Sequence, residues 1–434
     1  MNIARITLRA KGFSVIHRLS ILWLLPALLC LQAQNSILLS HANVIDGFSD
    51  QPARDMAVLV ENGRITSFSS NVGKLPVGTV TIDVTGRWLL PGLIDAHAHI
   101  RSLKGARDAV SEGVTTIRMM GLEHYVDVGI RELHRGGKQD LPDVVASGYA
   151  LPVRPDLPPF EGFILDFPPL ASTPRLGMGS IDDLRQRVQD NVRHGVNAIK
   201  ILATLPPYSD QRSGPAALPN TPLPEDEQTF TEQEMAAIVD EAQKAGLPVA
   251  AHTHLDEAAA AAVQAGVRSI EHGTVLSDST LSLMKARGVY LVPTLTIRDF
   301  LLGTPQGKGL SPAVRQQMTE AQAHAHDSAL RAWRKGVQLV AGTDTNENFL
   351  PSFSVSTEVA EFVKMGIPAM EAIKAATSRA AECLGISNRT GSIRTGYEAD
   401  LLVVDGDPLA DIGVLKKVIL VINDGQIAIN KLER

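Results

Sequence analysis

The chain has 434 residues, of which 44% are hydrophobic and 20% charged, a composition typical of a globular protein with one large domain and a smaller one attached. The net charge of -6 is spread along the chain without a basic block, so we expect no nucleic-acid partner. The 35 glycines and 25 prolines are scattered, which favours many short loops between strands and helices over a low-complexity segment.

The N-terminus predicts an export signal. Basic residues precede the apolar run "LSILWLLPALLCLQA", which ends at the small residue Ala33. We interpret residues 1–33 as a signal peptide and expect a periplasmic or secreted protein with no stable membrane insertion after cleavage. The run is short and is interrupted by Pro26, which argues against a membrane span. An uncleaved anchor and a lipoprotein modified at Cys30 are the alternatives.

The two ends of the chain predict one small β-sandwich domain. Residues 34–85 and residues 386–434 both contain short alternating runs that are separated by Gly, Asp and Asn, as antiparallel strands and tight turns require. The C-terminal segment also has Asp-Gly pairs, which are a strong hairpin signal. We therefore expect both segments to form one domain, with the middle of the chain inserted between them.

Residues 86–385 predict an α/β fold, specifically a (β/α)8 TIM barrel. An apolar strand, a polar loop and an amphipathic helix follow one another repeatedly, which is typical of parallel strands closed into a barrel. The loops after the third and fourth strands are long and rich in proline, and we expect them to shape an active site. The eight predicted strands are "LIDAHAHI", "TTIRMMG", "DVVASGY", "NAIKIL", "PVAAHTH", "SIEHG", "VYLVPTLT" and "QLVAGTD".

Polar side chains stand at the carboxyl ends of five of these strands, where a barrel places its catalytic groups. Any one of them alone is explained by core packing or helix capping, but six together favour a metal site. Imidazole and carboxylate ligands suit zinc first, and also manganese, iron or cobalt. The six residues are His97, His99, Lys200, His252, His272 and Asp344.

Lys200 is the unusual member of this set, because an ammonium group cannot bind a cation. Burial would lower its pKa and make the amine nucleophilic, and reaction with carbon dioxide would then produce an anionic carbamate able to bridge two metals. The alternatives are a lysine that extends to a loop and one that pairs with Asp344.

Several motifs together resemble the amidohydrolase superfamily, in the branch of imidazolonepropionase-like and Xaa-Pro or Xaa-Arg dipeptidase-like proteins. The resemblance implies two divalent ions, with zinc first, and a carboxylated Lys200 between them. It assigns His97 and His99 to the more buried ion and His252 and His272 to the second ion. It also implies that Asp344 binds metal and transfers protons. The motifs are "PGLIDAHAH", "GVNAIKI", "VAAHTH", "AGVRSIEHG", "VPTL", "AGTD" and "GSIRTGYEADLLVVDGDPL".

The sequence departs from these relatives after the third strand, where they often carry Gly-Gly-His and this chain has "SGYALPVRPDLPPF". The residue that polarises the substrate carbonyl is therefore open. His124 and Tyr149 are candidates, with loop packing as the competing explanation, and the resemblance implies that His254 lies nearby without binding metal. Arg154, Arg175 and Arg212 lie in the long loops and could hold a substrate carboxylate.

The resulting prediction is an exported hydrolase with two metals that cleaves an amide bond by a metal-bridged hydroxide, in the manner of a dipeptidase or carboxypeptidase. Its substrate would be a dipeptide or another small molecule. Hydrolysis of a cyclic amide, a lactone or an amidine ring is the catalytic alternative, and a non-catalytic binding protein on the same scaffold is the other. Lys200 argues against the deaminase branch, which the resemblance associates with one metal. A homo-oligomer is an open possibility.

Overall fold

The computed structural model of the protein describes residues 36–151, 180–205, 227–304, 308–346 and 355–432. The predicted signal peptide, Cys30 and the three loop arginines at positions 154, 175 and 212 lie outside these ranges. Within them, no helix combines the length and the apolar composition that a membrane span requires.

The strands alternate with helices through the middle of the chain and follow one another directly at both ends. The strands are β1 (Ser36–Val44), β2 (Ala53–Glu61), β3 (Arg64–Ser69), β4 (Val80–Asp83), β5 (Trp88–Pro91), β6 (Leu93–His99), β7 (Val114–Met119), β8 (Asp143–Val145), β9 (Ile199–Leu202), β10 (Thr204–Leu205), β11 (Glu227–Gln228), β12 (Val249–Thr253), β13 (Ser269–His272), β14 (Tyr290–Val292), β15 (Thr345–Asn346), β16 (Leu401–Val404), β17 (Val418–Asn423) and β18 (Gln426–Asn430).

Helices occupy most of the segments between the parallel strands. They are α1 (Leu103–Ser111), α2 (Val126–Arg135), α3 (Ile181–Arg193), α4 (Glu232–Lys244), α5 (Asp256–Ala265), α6 (Asp278–Arg287), α7 (Thr296–Gly303), α8 (Pro312–Lys335), α9 (Val355–Lys364), α10 (Ala369–Ala375) and α11 (Ser378–Leu384). Short 3-10 helices cover Glu123–Tyr125 and Ile412–Lys416.

Strands from both ends of the chain form one sheet of eight strands, in the order β18-β17-β16-β5-β1-β2-β3 with β4 paired to β1. β1 runs antiparallel to β2, and β16 runs antiparallel to both β5 and β17. The predicted Asp-Gly hairpin occurs at Asp424 and Gly425, which join β17 to β18 with φ angles of 47° and 74°. Positive φ at both positions matches the twist of the paired strands.

The middle of the chain contains two parallel sheets of four strands, β15-β6-β7-β8 and β9-β12-β13-β14. Seven of the eight predicted segments contain a regular strand in the predicted order. The eighth segment, 338–344, differs, because it pairs through single contacts. Leu339 bridges Leu291 in parallel, and the Ala96 amide donates to the Ala341 carbonyl at 3.0 Å. Another parallel bridge joins Leu151, beyond the end of β8, to Ile201 on β9.

Nearby side chains cap the starts of α3 and α4, and the apolar face of α4 is buried. Ser180 and Thr231 cap α3 and α4, and each forms a capping box with the acidic residue three positions later, as a free helix N-terminus favours. The buried face of α4 contributes Met235 and Ile238 to the core beneath the parallel strands. Because neighbouring strands in these sheets are parallel, their carboxyl ends lie on one side, where the predicted site residues stand.

Candidate metal centre

His97 and His99 lie on β6 two residues apart, so an extended strand directs both imidazoles to the same face. Their ring centroids are 5.4 Å apart. The His97 side chain is buried and the His99 side chain is partly exposed. Two nitrogen donors from one strand thus converge on one point.

Asp344 lies beside these two histidines. Its Oδ1 is 3.2 Å from Nε2 of His99 and 3.5 Å from Nε2 of His97, and its amide donates to the His97 carbonyl at 2.7 Å. The ligand atoms of the three residues lie within 4.8 Å of one another, a spacing that suits a metal ion. Asp344 has φ of 55°, an uncommon value for a residue other than glycine, and such strain often marks a functional site.

Lys200 projects from β9 into the same cluster. Its side chain is fully buried, with 1% of the residue exposed, and Nζ lies 3.5 Å from Nε2 of His97. The alternative of a lysine extending to solvent is therefore wrong. Burial lowers the pKa of the Lys200 amine to about 8, so neutral amine is available near neutral pH.

His252 on β12 and His272 on β13 form the other side of the cluster. Their ring centroids are 4.5 Å apart, and the His272 ring lies 5.0 Å from that of His97. His254, the third histidine on this side, has its ring centroid 4.6 Å from that of His252. The structure therefore brings all six predicted ligands together and places His254 next to them.

A break in strand geometry explains how consecutive residues of β13 reach the cluster. In an extended strand Glu271 and His272 would face opposite sides. His272 instead has φ of 68°. Both residues therefore reach His97: Glu271 forms a hydrogen bond with it, and the ring of His272 lies against its ring. Thr294, also at positive φ (47°), is hydrogen-bonded to His272, with Oγ1 2.7 Å from Nδ1.

The charge states of these side chains suit metal binding. Burial lowers the pKa of His97 to about 4 and holds the pKa values of His252 and His272 well below their usual range, so all three imidazoles are neutral at pH 7. Burial raises the pKa of Asp344, but His97 and His99 outweigh it and bring that pKa to about 2. Neutral imidazoles and an ionised carboxylate are the forms that bind metals, and the donor set fits divalent ions such as zinc.

The backbone around His97 is fixed by close packing. Asp95 accepts hydrogen bonds from the amides of His97 and Thr343 at 3.1 and 3.0 Å, which ties β6 to the segment that carries Asp344. Gly342 lies so close to His97 that a Cβ on it would be 2.9 Å from the His97 Cβ. The "AGTD" motif therefore needs glycine for close approach at this position.

Sequence reasoning missed two charged residues of the cluster, Glu271 and Arg118. Glu271 accepts a hydrogen bond from His97 at 2.7 Å, and Arg118 on β7 contacts the same carboxylate at 2.7 Å. Burial raises the pKa of Glu271, but Arg118 and His97 outweigh it and bring that pKa to about 2. The available signal was a charged residue inside each of two apolar strand segments, "SIEHG" and "TTIRMMG".

The structure places the candidate substrate residues in two groups. His124 and Tyr149 lie together, with ring centroids 6.4 Å apart, and the Tyr125 ring packs against Tyr149 at 5.3 Å. His254 lies in the histidine cluster, where its Nδ1 is 2.7 Å from Oγ1 of Thr274 and 3.4 Å from Nη2 of Arg298. Arg298, on α7, is a cation beside the cluster that the sequence analysis did not single out.

Comparison with known proteins shows the family to which this chain belongs. Residues 88–428 match the amidohydrolase family. A crystal structure of a Xaa-Pro dipeptidase with methionine bound in the active site covers 91% of this chain and 99% of its own, with 26% sequence identity and a TM-score of 0.76. A crystal structure of a prolidase complexed with N-methylphosphonate-L-proline covers the same shares with 27% identity and a TM-score of 0.76.

An ochratoxinase of Aspergillus niger is 26% identical over 440 residues, which cover 90% of this chain and 86% of the ochratoxinase. Together with the two solved structures, this relative confirms the predicted dipeptidase-like branch and a hydrolase acting on carbon–nitrogen bonds. The solved neighbours also imply a TIM-barrel-like α/β fold.

Proposed function

Because this chain belongs to the amidohydrolase family and hydrolyses carbon–nitrogen bonds, we propose that it is an exported dipeptidase that uses two divalent metal ions, with zinc first. The observation that carries the proposal is the convergence of the predicted ligands on one point. Three of the predicted ligands, His97, His99 and Asp344, have ligand atoms that lie within 4.8 Å of one another.

Lys200 supports a two-metal site. Burial of a lysine that is 1% exposed removes the solvation of its ammonium form, whereas a carbamate formed with carbon dioxide is an anion that can bind metal ions. The lowered pKa of the amine favours the neutral form that this reaction needs. In the proposed site the histidines of β6, β12 and β13 would hold the ions, and the carbamate of Lys200 would supply an anionic ligand.

Asp344 is the proposed proton carrier. When bound, two divalent ions would lower the pKa of a water molecule between them and polarise the substrate carbonyl. The Asp344 carboxylate, ionised at neutral pH, would take the proton of that water and deliver it to the leaving nitrogen. Its contact with His99 at 3.2 Å holds the carboxylate in position for both transfers.

The substrate we propose is a small peptide-like amide with a free α-carboxylate. Both structural neighbours contain a ligand with an amino-acid part, methionine in one and a proline derivative in the other. In the described part of this chain, Arg298 is the cation we assign to the carboxylate, since its Nη2 lies 3.4 Å from His254 and 3.0 Å from Thr274 at the edge of the cluster. A charge-assisted hydrogen bond from it would orient the scissile bond.

The test is a substrate screen with metal-reconstituted protein over dipeptides and N-acyl amino acids, each paired with its C-terminal amide. We expect cleavage of the free acids and little cleavage of the amides. Replacing Arg298 with Met should raise KM for the free acid by about 10–100-fold, the usual cost of losing a hydrogen bond to a charged group, and should change KM for any residual amide substrate much less.

Two outcomes would replace this proposal. Equal cleavage of the blocked peptide, or turnover of lactones and ring amides alone, favours the cyclic-substrate alternative. Metal and peptide binding with no turnover of any amide favours a non-catalytic binding protein.

Residues 1–33 are the basis for the proposal of export. N-terminal sequencing of the mature protein tests it by locating the first residue after cleavage.

We also propose that the two parallel sheets close into one eight-stranded barrel and that the mixed sheet belongs to the β-sandwich formed from both chain ends. The bridges Leu151 to Ile201 and Leu291 to Leu339 support closure, because each joins a strand of one sheet to a segment that follows or precedes an edge strand of the other. The pairing of β1 with β5 and of β5 with β16 supports a shared terminal domain. An experimental structure of the protein tests both points.

A further inference from the structure

Glu271 lies at the centre of a buried hydrogen-bond network that joins the two parallel sheets. It is 0% exposed, and its two carboxylate oxygens have different partners. Oε2 lies 2.7 Å from Nδ1 of His97, while Oε1 accepts hydrogen bonds from Nη2 of Arg118 at 2.7 Å and from Oγ of Ser269 at 2.5 Å. One oxygen therefore faces the proposed metal ligand and the other faces a fixed cation.

Arg118 is held as firmly as the glutamate. It is 1% exposed, its Nε donates to the Ala96 carbonyl at 2.7 Å, and its Nη1 donates to Oγ of Ser269 at 3.1 Å. Burial of two charges is costly unless they are paired and hydrogen-bonded, and here the two charges are paired and each guanidinium nitrogen and carboxylate oxygen has a partner. Since Arg118 lies on β7 and Glu271 on β13, the ion pair crosses from one parallel sheet to the other.

The network determines which nitrogen of His97 carries the proton. An ionised carboxylate can only accept a hydrogen bond, so the contact with Oε2 requires a proton on Nδ1. Nε2 is then left with its lone pair, and it faces Nζ of Lys200 and Oδ1 of Asp344, each at 3.5 Å. That is the tautomer in which His97 can bind a metal through Nε2.

We propose that Glu271 is a positioning residue for the metal centre, with Arg118 as the group that fixes its orientation, and that together they hold His97 in the tautomer that binds the first ion. This inference rests on the proposed metal site. Partners of this kind usually change metal affinity by about 10–100-fold when they are replaced.

Because Arg118 fixes the orientation of residue 271, the neutral variant Glu271→Gln should change the tautomer of His97. Arg118 has no acceptor atom, so it would select the amide oxygen of Gln and turn the amide nitrogen toward His97. An N–H group facing Nδ1 requires a lone pair there and a proton on Nε2, which removes the metal-binding lone pair. The conservative substitution should therefore invert the tautomer.

Replacing Arg118 as well should restore the original tautomer. In an Arg118→Met, Glu271→Gln protein the amide is free to turn, so its oxygen can accept from Nδ1 of His97 while its nitrogen donates to Oγ of Ser269. Methionine also leaves no unpaired charge inside. The second substitution should then improve metal binding. If the two substitutions caused independent structural losses, their effects would add and the double variant would bind metal more weakly than E271Q.

The experiment measures zinc affinity of the metal-depleted full chain by competition with a chromophoric chelator, and cobalt absorption spectra as a signature of the ligand set. We expect E271Q to bind the first ion about 10–100-fold more weakly than wild type and the double variant to bind it about tenfold more tightly than E271Q. The matched control is Asp143→Asn, which disrupts a partly buried ion pair with Arg389 at the start of β8, away from the carboxyl ends of the strands. It should lower thermal stability and leave zinc affinity unchanged.

Nitrogen-15 NMR of the metal-free wild-type protein tests the tautomer without any variant of the network. The His97 signals, assigned with His97→Gln, should show a protonated Nδ1 and an unprotonated Nε2. A proton on Nε2, wild-type affinity in E271Q, or a double variant weaker than E271Q would each overturn the inference. Because no measurement uses a peptide, the predicted affinity pattern supports the inference even if the protein cleaves no dipeptide and the proposed function fails.

Discussion

The Asp344 carboxylate lies 3.2 Å from Nε2 of His99, although the two residues are 245 positions apart in the sequence. The contact exists because β15 pairs in parallel with β6. The pairing of the first and last parallel strands therefore brings together the residues that we propose as a base and as a metal ligand.

Asp344→Asn should abolish turnover and retain most of the bound metal. The amide keeps an oxygen that can face the histidines but cannot accept a proton. We expect kcat to fall by roughly 10²–10⁴-fold, the usual contribution of a general base. Turnover and metal content are measured on the same preparation, and near wild-type kcat would move proton transfer to another residue.

Lys200 should carry a carboxylate when metal is bound. Only the neutral amine reacts with carbon dioxide, and the pKa of Lys200 is about 8. Reconstitution under a fixed partial pressure of carbon dioxide should therefore be faster at pH 9 than at pH 7. Metal-depleted protein should recover little activity in buffer free of carbon dioxide and should recover fully when bicarbonate is added. Lys200→Met, which cannot form a carbamate, is the control and should not respond. Ordinary lysine density at full metal occupancy in a crystal structure would contradict the prediction.

The hydroxyl of Thr294 should help to orient His272. Thr294→Val removes the contact between Oγ1 and Nδ1, which is 2.7 Å long, while it keeps a β-branched side chain at the same positive φ. We expect zinc affinity to fall by about 10–100-fold, as for other partners of metal-binding histidines. Thr294→Ser keeps the hydroxyl and should bind zinc much as wild type does. Equal affinity in the Val and Ser variants would show that the contact is dispensable.

Asp400→Asn should stabilise the protein at alkaline pH. Burial, and then the charge of Asp424, raise the pKa of Asp400 from 3.8 to about 7, so the folded state favours the protonated form. Wild type therefore loses stability as the pH rises from about 4 to about 7, and Asn avoids this loss. An amide can still accept from the Asp424 amide and donate to Thr390, the two present partners.

Urea unfolding at pH 4 and pH 8 measures this effect. The variant and wild type should have similar free energies of unfolding at pH 4, and the variant should be more stable by roughly 1–3 kcal/mol at pH 8. Asp405→Asn changes an exposed carboxylate near the same sheet and should show a much smaller pH-dependent difference. A variant less stable than wild type at pH 8 would mean that the charged form of Asp400 is favoured in the fold.

Local patterns in the sequence were sufficient for much of the fold. The alternation of apolar strands and amphipathic helices predicted seven regular parallel strands in order, because side-chain periodicity depends on a few neighbouring residues. The spacing of His97 and His99 predicted a shared direction for the same reason. The eighth segment was harder, since its pairing through Leu339 depends on a neighbouring strand and leaves little regular strand of its own.

The sequence by itself determined which candidate metal ligands end the strands, because a strand end is marked locally by an apolar run that turns polar. Only the tertiary structure decided which groups hold those side chains. Glu271 meets His97 across 174 residues of sequence, and it does so next to a His272 at positive φ, where the alternation that guides sequence reasoning breaks down. Contacts of this kind depend on strand register and backbone strain, which arise from packing of the whole domain.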